Sequence, residues 1–242
     1  MALTSPTTPE AERVKPYWGL GDVAAGFAIG LVASTIAATI AVSAGDYEKL
    51  TDAPMWVFAL LQLPLWFGLA GAPLYAATVK GCGLAEDFGA RMRPIDVPVG
   101  LAIGVVTQLT LVPIISWPWL KLLGKDSHDL EDRARDITDR AHGGGVVLLV
   151  LVIVIAAPFV EELFFRGLTL RSFERRFGST PAIAASAVIF GLSHFDGLGL
   201  PALVLFGAIV GTLAVRTGRL GPGIWAHVGF NLTTVVALLH NR

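Results

Sequence analysis

Six polar side chains stand where a largely apolar sequence has no structural need for them. Glu161, Glu162 and Arg166 lie in APFVEELFFRG (157–167), His194 ends FGLSH, and His227 and Asn231 share AHVGFN. A charged group at bilayer depth costs at least about 2.5–3.5 kcal/mol, so intramembrane groups of this kind are candidates for function. Spacing separates the two glutamates. Glu162 and Arg166 are four apart with the acid first, the favourable order for a helical ion pair. Glu161 points about 100° away around the same helix. Its neighbours three and four residues off are Ala157, Pro158, Phe164 and Phe165, so it has no basic partner there. Desolvation favours the neutral form of an unpaired carboxylate, and that is how a carboxyl becomes an acid or base near neutral pH.

His227 and Asn231 are also four apart and share a helix face, and Phe190 precedes His194 by one turn. A water held by Glu161 and His194 would be placed to attack a carbonyl, with His227 and Asn231 holding the oxyanion. The set Glu161, His194 and His227 equally suits a zinc ion, since two imidazoles and a carboxylate are a common zinc shell. HExxH is absent, so no single helix supplies a ligand pair. Each group has a plainer reading. A lone membrane histidine can be a hydrogen-bonded helix contact, and an asparagine can be interhelical glue. His128, His142 and His240 fall in a polar loop or at the tail and are set aside. Asp196, at a helix end, reads as an interfacial cap or as a partner that orients His194.

The elements that carry these groups are hydrophobic. The 242 residues are 54% hydrophobic and 15% charged, with a net charge of −1 and a mean hydropathy of +0.66. This describes an all-α, polytopic transmembrane helical bundle and excludes nucleic acid as a partner. One cysteine, Cys82, leaves no internal disulfide. Apolar runs of spanning length fall at 23–44, 55–79 (with Pro64 and Pro73 inside), 97–120, 146 onward, 181–195, 201–215 and 223–239. About seven helices are expected, within a range of six to eight. Residues 1–20 read as a polar tail without signal-peptide character. Residues 21–120 hold the N-terminal helices, and 146–242 hold the chemistry.

Residues 121–145 read as a charged interfacial helix. The pairs Asp129–Arg133, Glu131–Arg135 and Asp136–Arg140 fall at helical spacing, beside a weak stripe of Leu130, Ala134, Ile137 and Ala141. This segment is either a solvated connection or a gate beside the site. Lys and Arg in the short loops favour a cytoplasmic N-terminus in a multi-pass cell-membrane protein. A depth count gives one discrepancy. Glu161 lies roughly 24 Å from a helix end at Phe177, and His194 roughly 20 Å from Pro181. His227 lies only roughly 10 Å from Leu220, which calls for a tilted or shorter last helix.

Taken in order, EExxxR (Glu161, Glu162, Arg166), FxxxH (Phe190, His194) and HxxxN (His227, Asn231) resemble the CPBP family. This family comprises type II CAAX prenyl proteases and bacteriocin-processing or self-immunity (Abi) enzymes. The resemblance covers about residues 146–242. It implies an intramembrane endopeptidase acting on a membrane-associated or lipidated peptide in the lipid bilayer. Glu161 would activate water with His194, and His227 with Asn231 would stabilise the oxyanion. Glu162, Arg166 and Phe190 would support them. The family's label of metalloprotease leaves a zinc cofactor open. The competing readings are a proton- or ion-coupled transporter and a non-catalytic scaffold or immunity protein.

Overall fold

The structure is a computed structural model that describes residues 16–240, with no side-chain description for Thr51, Arg133, Ala134, Asp136 and Ile137. Most of the expected polar tail therefore lies outside the described residues, as do the side chains needed for the Asp129–Arg133 and Asp136–Arg140 pairs. The described residues form helices and no strand. They are α1 (Leu20–Gly45), α2 (Met55–Val79), the short α3 (Leu84–Phe88), α4 (Asp96–Leu122), α5 (Ser127–Thr138), α6 (Gly144–Phe177), α7 (Ser179–Ser193), α8 (Leu200–Thr217) and α9 (Gly221–His240). Six of them are long and apolar enough to cross a membrane, and α7 is a shorter apolar helix. The protein is a multi-pass membrane protein. Ile29, Val32, Ile36 and Ile40 on α1, and Leu60, Leu63 and Phe67 on α2, are exposed. They form the apolar surface that a lipid environment covers.

Small residues bring the helices together, because between membrane helices the gain comes from close packing rather than from hydrophobic burial. A Cβ on Gly68 of α2 would lie 2.4 Å from the Gly26 carbonyl of α1. A Cβ on Gly104 of α4 would lie 2.0 Å from the Ala226 carbonyl of α9, and one on Gly229 would lie 2.6 Å from the Leu101 carbonyl. Backbones thus meet with no side chain between them. Pro64 and Pro73 are accommodated inside an unbroken α2.

α6 runs for 34 residues and contains two wide π-type turns, at Val150–Ala156 and Leu163–Thr169. α4 has a third, at Thr107–Leu111. Such turns occur mostly as single-turn bulges, often at functional sites. Here they flank the glutamate pair. The last turns of α6, LRSFERRF, are charged; Gly178, at φ +83, then reverses the chain into α7. That charged end accounts for the depth discrepancy. α6 extends past the level at which α9 begins, so Phe177 and Leu220 are not at one depth. Gly223, near the start of α9, already lies beside Glu162.

An ionic clip fixes the start of α9. Asp96 is buried and accepts from Arg219 Nη2 at 2.6 Å and Nε at 3.2 Å. The amides of Leu220 and Gly221 donate to the carbonyls of Gly89 and Arg91. α5 is amphipathic and capped by Asp126, whose carboxylate accepts from the amides of His128 and Asp129. Of the expected pairs, Glu131–Arg135 is present at 3.2 Å. Arg140 donates to the carbonyls of Leu50 and Ala53.

Candidate active site

The glutamate pair sits between the two wide turns of α6. Glu162 and Arg166 are both fully buried and form an ion pair at 2.9 Å, as the i,i+4 spacing anticipates. The guanidinium also lies 4.3 Å from the centre of the Phe190 ring, and its Nη2 reaches the Gly207 carbonyl at 3.4 Å. Phe190 is therefore the floor on which the pair rests.

His227 of α9 stands between the two glutamates. Its Nδ1 is 3.0 Å from Glu162 Oε1, and its Nε2 is 3.8 Å from Glu161 Oε2. With Glu162 ionised against Arg166, Nδ1–H donates to it, which fixes the ring and turns Nε2 toward Glu161. This is the usual way a carboxylate selects a histidine tautomer. Glu161 Oε2 is buried and has no hydrogen-bond partner. The i,i+4 pair expected from helical spacing is formed by Glu162 and Arg166, and Glu161 stands outside it. Spacing did not show that a single imidazole bridges the two glutamates. Phe206 and Phe190 close the other sides of that imidazole, edge-on at 5.1 Å and 5.7 Å.

His194 ends α7 with its Nδ1 2.8 Å from the Phe190 carbonyl and its ring against the Phe190 ring at 4.7 Å. It is exposed, and the Phe190 ring contacts both it and His227. Asn231, one turn beyond His227, donates from Nδ2 to the Ile153 carbonyl at 2.8 Å. That carbonyl belongs to the first wide turn of α6, where the stretched ladder leaves room for a second donor. Asn231 thereby ties α9 to α6 and still faces the cavity.

Glu161, Phe190, His194, His227 and Asn231 all line one cavity of roughly 510 Å³. Apolar side chains such as Leu149, Leu203, Phe206 and Phe230 form most of its wall. Leu130 and Thr138 of α5 also line it, so the charged connecting helix borders the site. Two polar groups there escape a motif reading. Gln108 sits on the wide turn of α4, with its Oε1 buried and unpartnered. Asp196 lies at the rim, accepting from the Leu198 amide. Gln108 left only a weak signal, a long amide in an apolar span, as Gln62 of α2 also is.

The expected zinc set is not assembled. Among the described residues no three His, Cys, Asp or Glu side chains are grouped as metal ligands. His227 already faces a carboxylate from each ring nitrogen, and His194 Nδ1 is taken up by the Phe190 carbonyl. These residues do not fit a metal ion as arranged.

The family model described as "Type II CAAX prenyl endopeptidase Rce1-like" matches residues 143–233. This segment runs from the start of α6 to two residues past Asn231, so it contains every motif residue. Comparisons with curated proteins and with solved structures return no match.

Proposed function

We propose that the chain, whose residues 143–233 match the model of Rce1-like type II CAAX prenyl endopeptidases, is a peptidase of that kind and hydrolyses a peptide bond at the membrane with water activated by Glu161. The family implies a peptidase. The observation that carries the finer reading is the free Glu161 Oε2, buried in a cavity wall beside an imidazole whose other nitrogen is held by Glu162. Glu161 takes a proton from water as the water oxygen bonds to the scissile carbonyl carbon. The tetrahedral oxyanion is met by the second N–H of the Asn231 amide, and by His227 in the state in which its Nε2 carries a proton, its Nδ1–H being held by Glu162; His194 stands at the outer side. The C–N bond then breaks, and the proton held by Glu161 passes to the leaving amine. Each step uses a group already in place, so little reorganisation is needed at the moment of reaction.

The apolar wall suits a membrane-associated or lipidated peptide, and the bordering α5 suits a segment that arrives from the interface. The lysines and arginines gathered at the end that holds Lys80, Arg91, Arg93, Arg175 and Arg219 support a cytoplasmic location for that end and the N-terminus. The family assignment does not favour a transporter or a scaffold. The test is cleavage of a fluorogenic farnesylated C-terminal peptide, and of an unmodified membrane-peptide library, by wild type and Glu161→Gln. The variant is expected to lose about 10²–10⁴-fold in turnover with unchanged thermal unfolding. Cleavage at the wild-type rate by Glu161→Gln refutes the mechanism.

A further inference from the structure

A second pocket lies at the charged end of the bundle, away from the glutamates. It has a volume of roughly 460 Å³ and is lined by Trp18, Gly19, Leu20, Gly21, Ser172, Arg175 and Arg176. We propose that it binds a phosphate group at the membrane face, as presented by an anionic phospholipid.

Four observations converge on an anion. α1 begins here, and the first amides of a helix are unsatisfied donors at the positive end of its dipole. The Gly19 amide is taken up by Asp22 at 2.9 Å, and Asp22 is in turn neutralised by Lys80 at 2.6 Å. The amides of Leu20 and Gly21 remain. Second, the glycines have no packing reason to be glycine. A Cβ on Gly19 or Gly21 would meet nothing within 4 Å, and Gly19, at φ 179, is extended backbone open to any residue. A bare backbone there leaves the amides open to a ligand.

Third, two guanidinium groups line the pocket with no carboxylate partner among the described residues. Arg175 donates only to the carbonyls of Trp18 and Pro16, at 3.1 Å and 3.0 Å, and stacks on the Trp18 ring at 4.3 Å. Arg176 lies over the Phe177 ring. The nearby carboxylate Glu174 is bonded to Arg171 and Ser179. Fourth, Ser172 is only 5% exposed, yet its Oγ lacks a partner among the described residues. A buried donor without an acceptor is costly, and Ser172 lines this pocket. Amides, guanidinium groups and a hydroxyl can all donate, which suits an oxyanion rather than a cation. Exposed Tyr17 beside them suits the headgroup level, where aromatic side chains gather.

The experiment is native mass spectrometry of the full chain in detergent. Phosphatidylglycerol, phosphatidylcholine and inorganic phosphate are each titrated, and thermal unfolding is followed in parallel. Wild type is expected to retain phosphatidylglycerol over phosphatidylcholine. Arg176→Gln should weaken phosphatidylglycerol about five-fold, the worth of one interfacial cation. Gly21→Val, which changes no charge but covers the amides, should weaken it too. Arg216→Gln, a basic residue outside the pocket, should not. Inorganic phosphate that binds and is lost with the same variants supports the anion site and assigns it to a soluble phosphate. Equal retention of both lipids, or equal losses in Arg176→Gln and Arg216→Gln with none in Gly21→Val, overturns the proposal.

Discussion

Replacing Glu162 by Gln exchanges one oxygen for a nitrogen and removes one charge, and the structure says where the consequence falls. Arg166 is fully buried, and among the described residues Glu162 is its only carboxylate partner within ion-pair distance. Its Nε has no partner, and Nη2 has only a long contact to the Gly207 carbonyl. The glutamine oxygen can still accept from Arg166 and from His227 Nδ1, so the hydrogen bonds survive while the neutralisation does not. Breaking a buried pair from one side costs about 3–5 kcal/mol. Glu161 is close enough to act on Arg166 through space, which points to the lower part of that range. Glu162→Gln should therefore lose about 3 kcal/mol in detergent unfolding, whereas Glu161→Gln, lacking any bonded partner, should lose less than about 1 kcal/mol. Turnover should fall in both, because Glu162 also orients His227. The double variant Glu162→Gln/Arg166→Met removes both charges and should recover at least about half of the lost stability. If Glu162→Gln unfolds like wild type, or the double variant is no better than the single, the ion pair does not hold this site together.

Two further outcomes bear on the site. Asn231→Ala loses the bond to the Ile153 carbonyl, worth about 0.6 kcal/mol in membrane helices; turnover should drop about 10²-fold or more if its amide also meets the oxyanion. A stability loss with normal turnover would assign Asn231 to packing alone. Gly104→Val forces a side chain into the space that separates α4 from the Ala226 carbonyl. It should cost about 1–3 kcal/mol and lower turnover as well, since α9 carries His227. Denaturant titration beside a cleavage assay reads both, and a silent Gly104→Val would mean that the two helices are not in backbone contact.

Much of this was legible from periodicity and local spacing. The second apolar run gives Met55–Val79 to the residue, because Pro54 and the Lys80–Gly83 segment end the pattern abruptly. The inequality of Glu161 and Glu162 follows from angles along one helix. What crosses between helices was not legible. Choosing His227 rather than His194 as the imidazole beside Glu161 depends on where α9 starts, and the Asp96–Arg219 clip sets that across more than a hundred residues of sequence. The Ile153 carbonyl became an acceptor for Asn231 only through a wide turn that hydropathy cannot register. Gln108 was overlooked because a single amide in an apolar run carries no spacing to read.

The contact between α4 and α9 has a consequence for how the protein can be divided. The segment that matches the family begins at residue 143, yet His227 is carried by a helix whose backbone is pressed against Gly100 and Gly104, residues outside that segment. The residues that mark the lineage and the residues that hold them in place are thus on different stretches of chain. A fragment cut at the family boundary would keep every motif letter and lose the surface on which α9 rests. The signature can be recognised separately, but α9, which carries part of it, rests on α4 outside it.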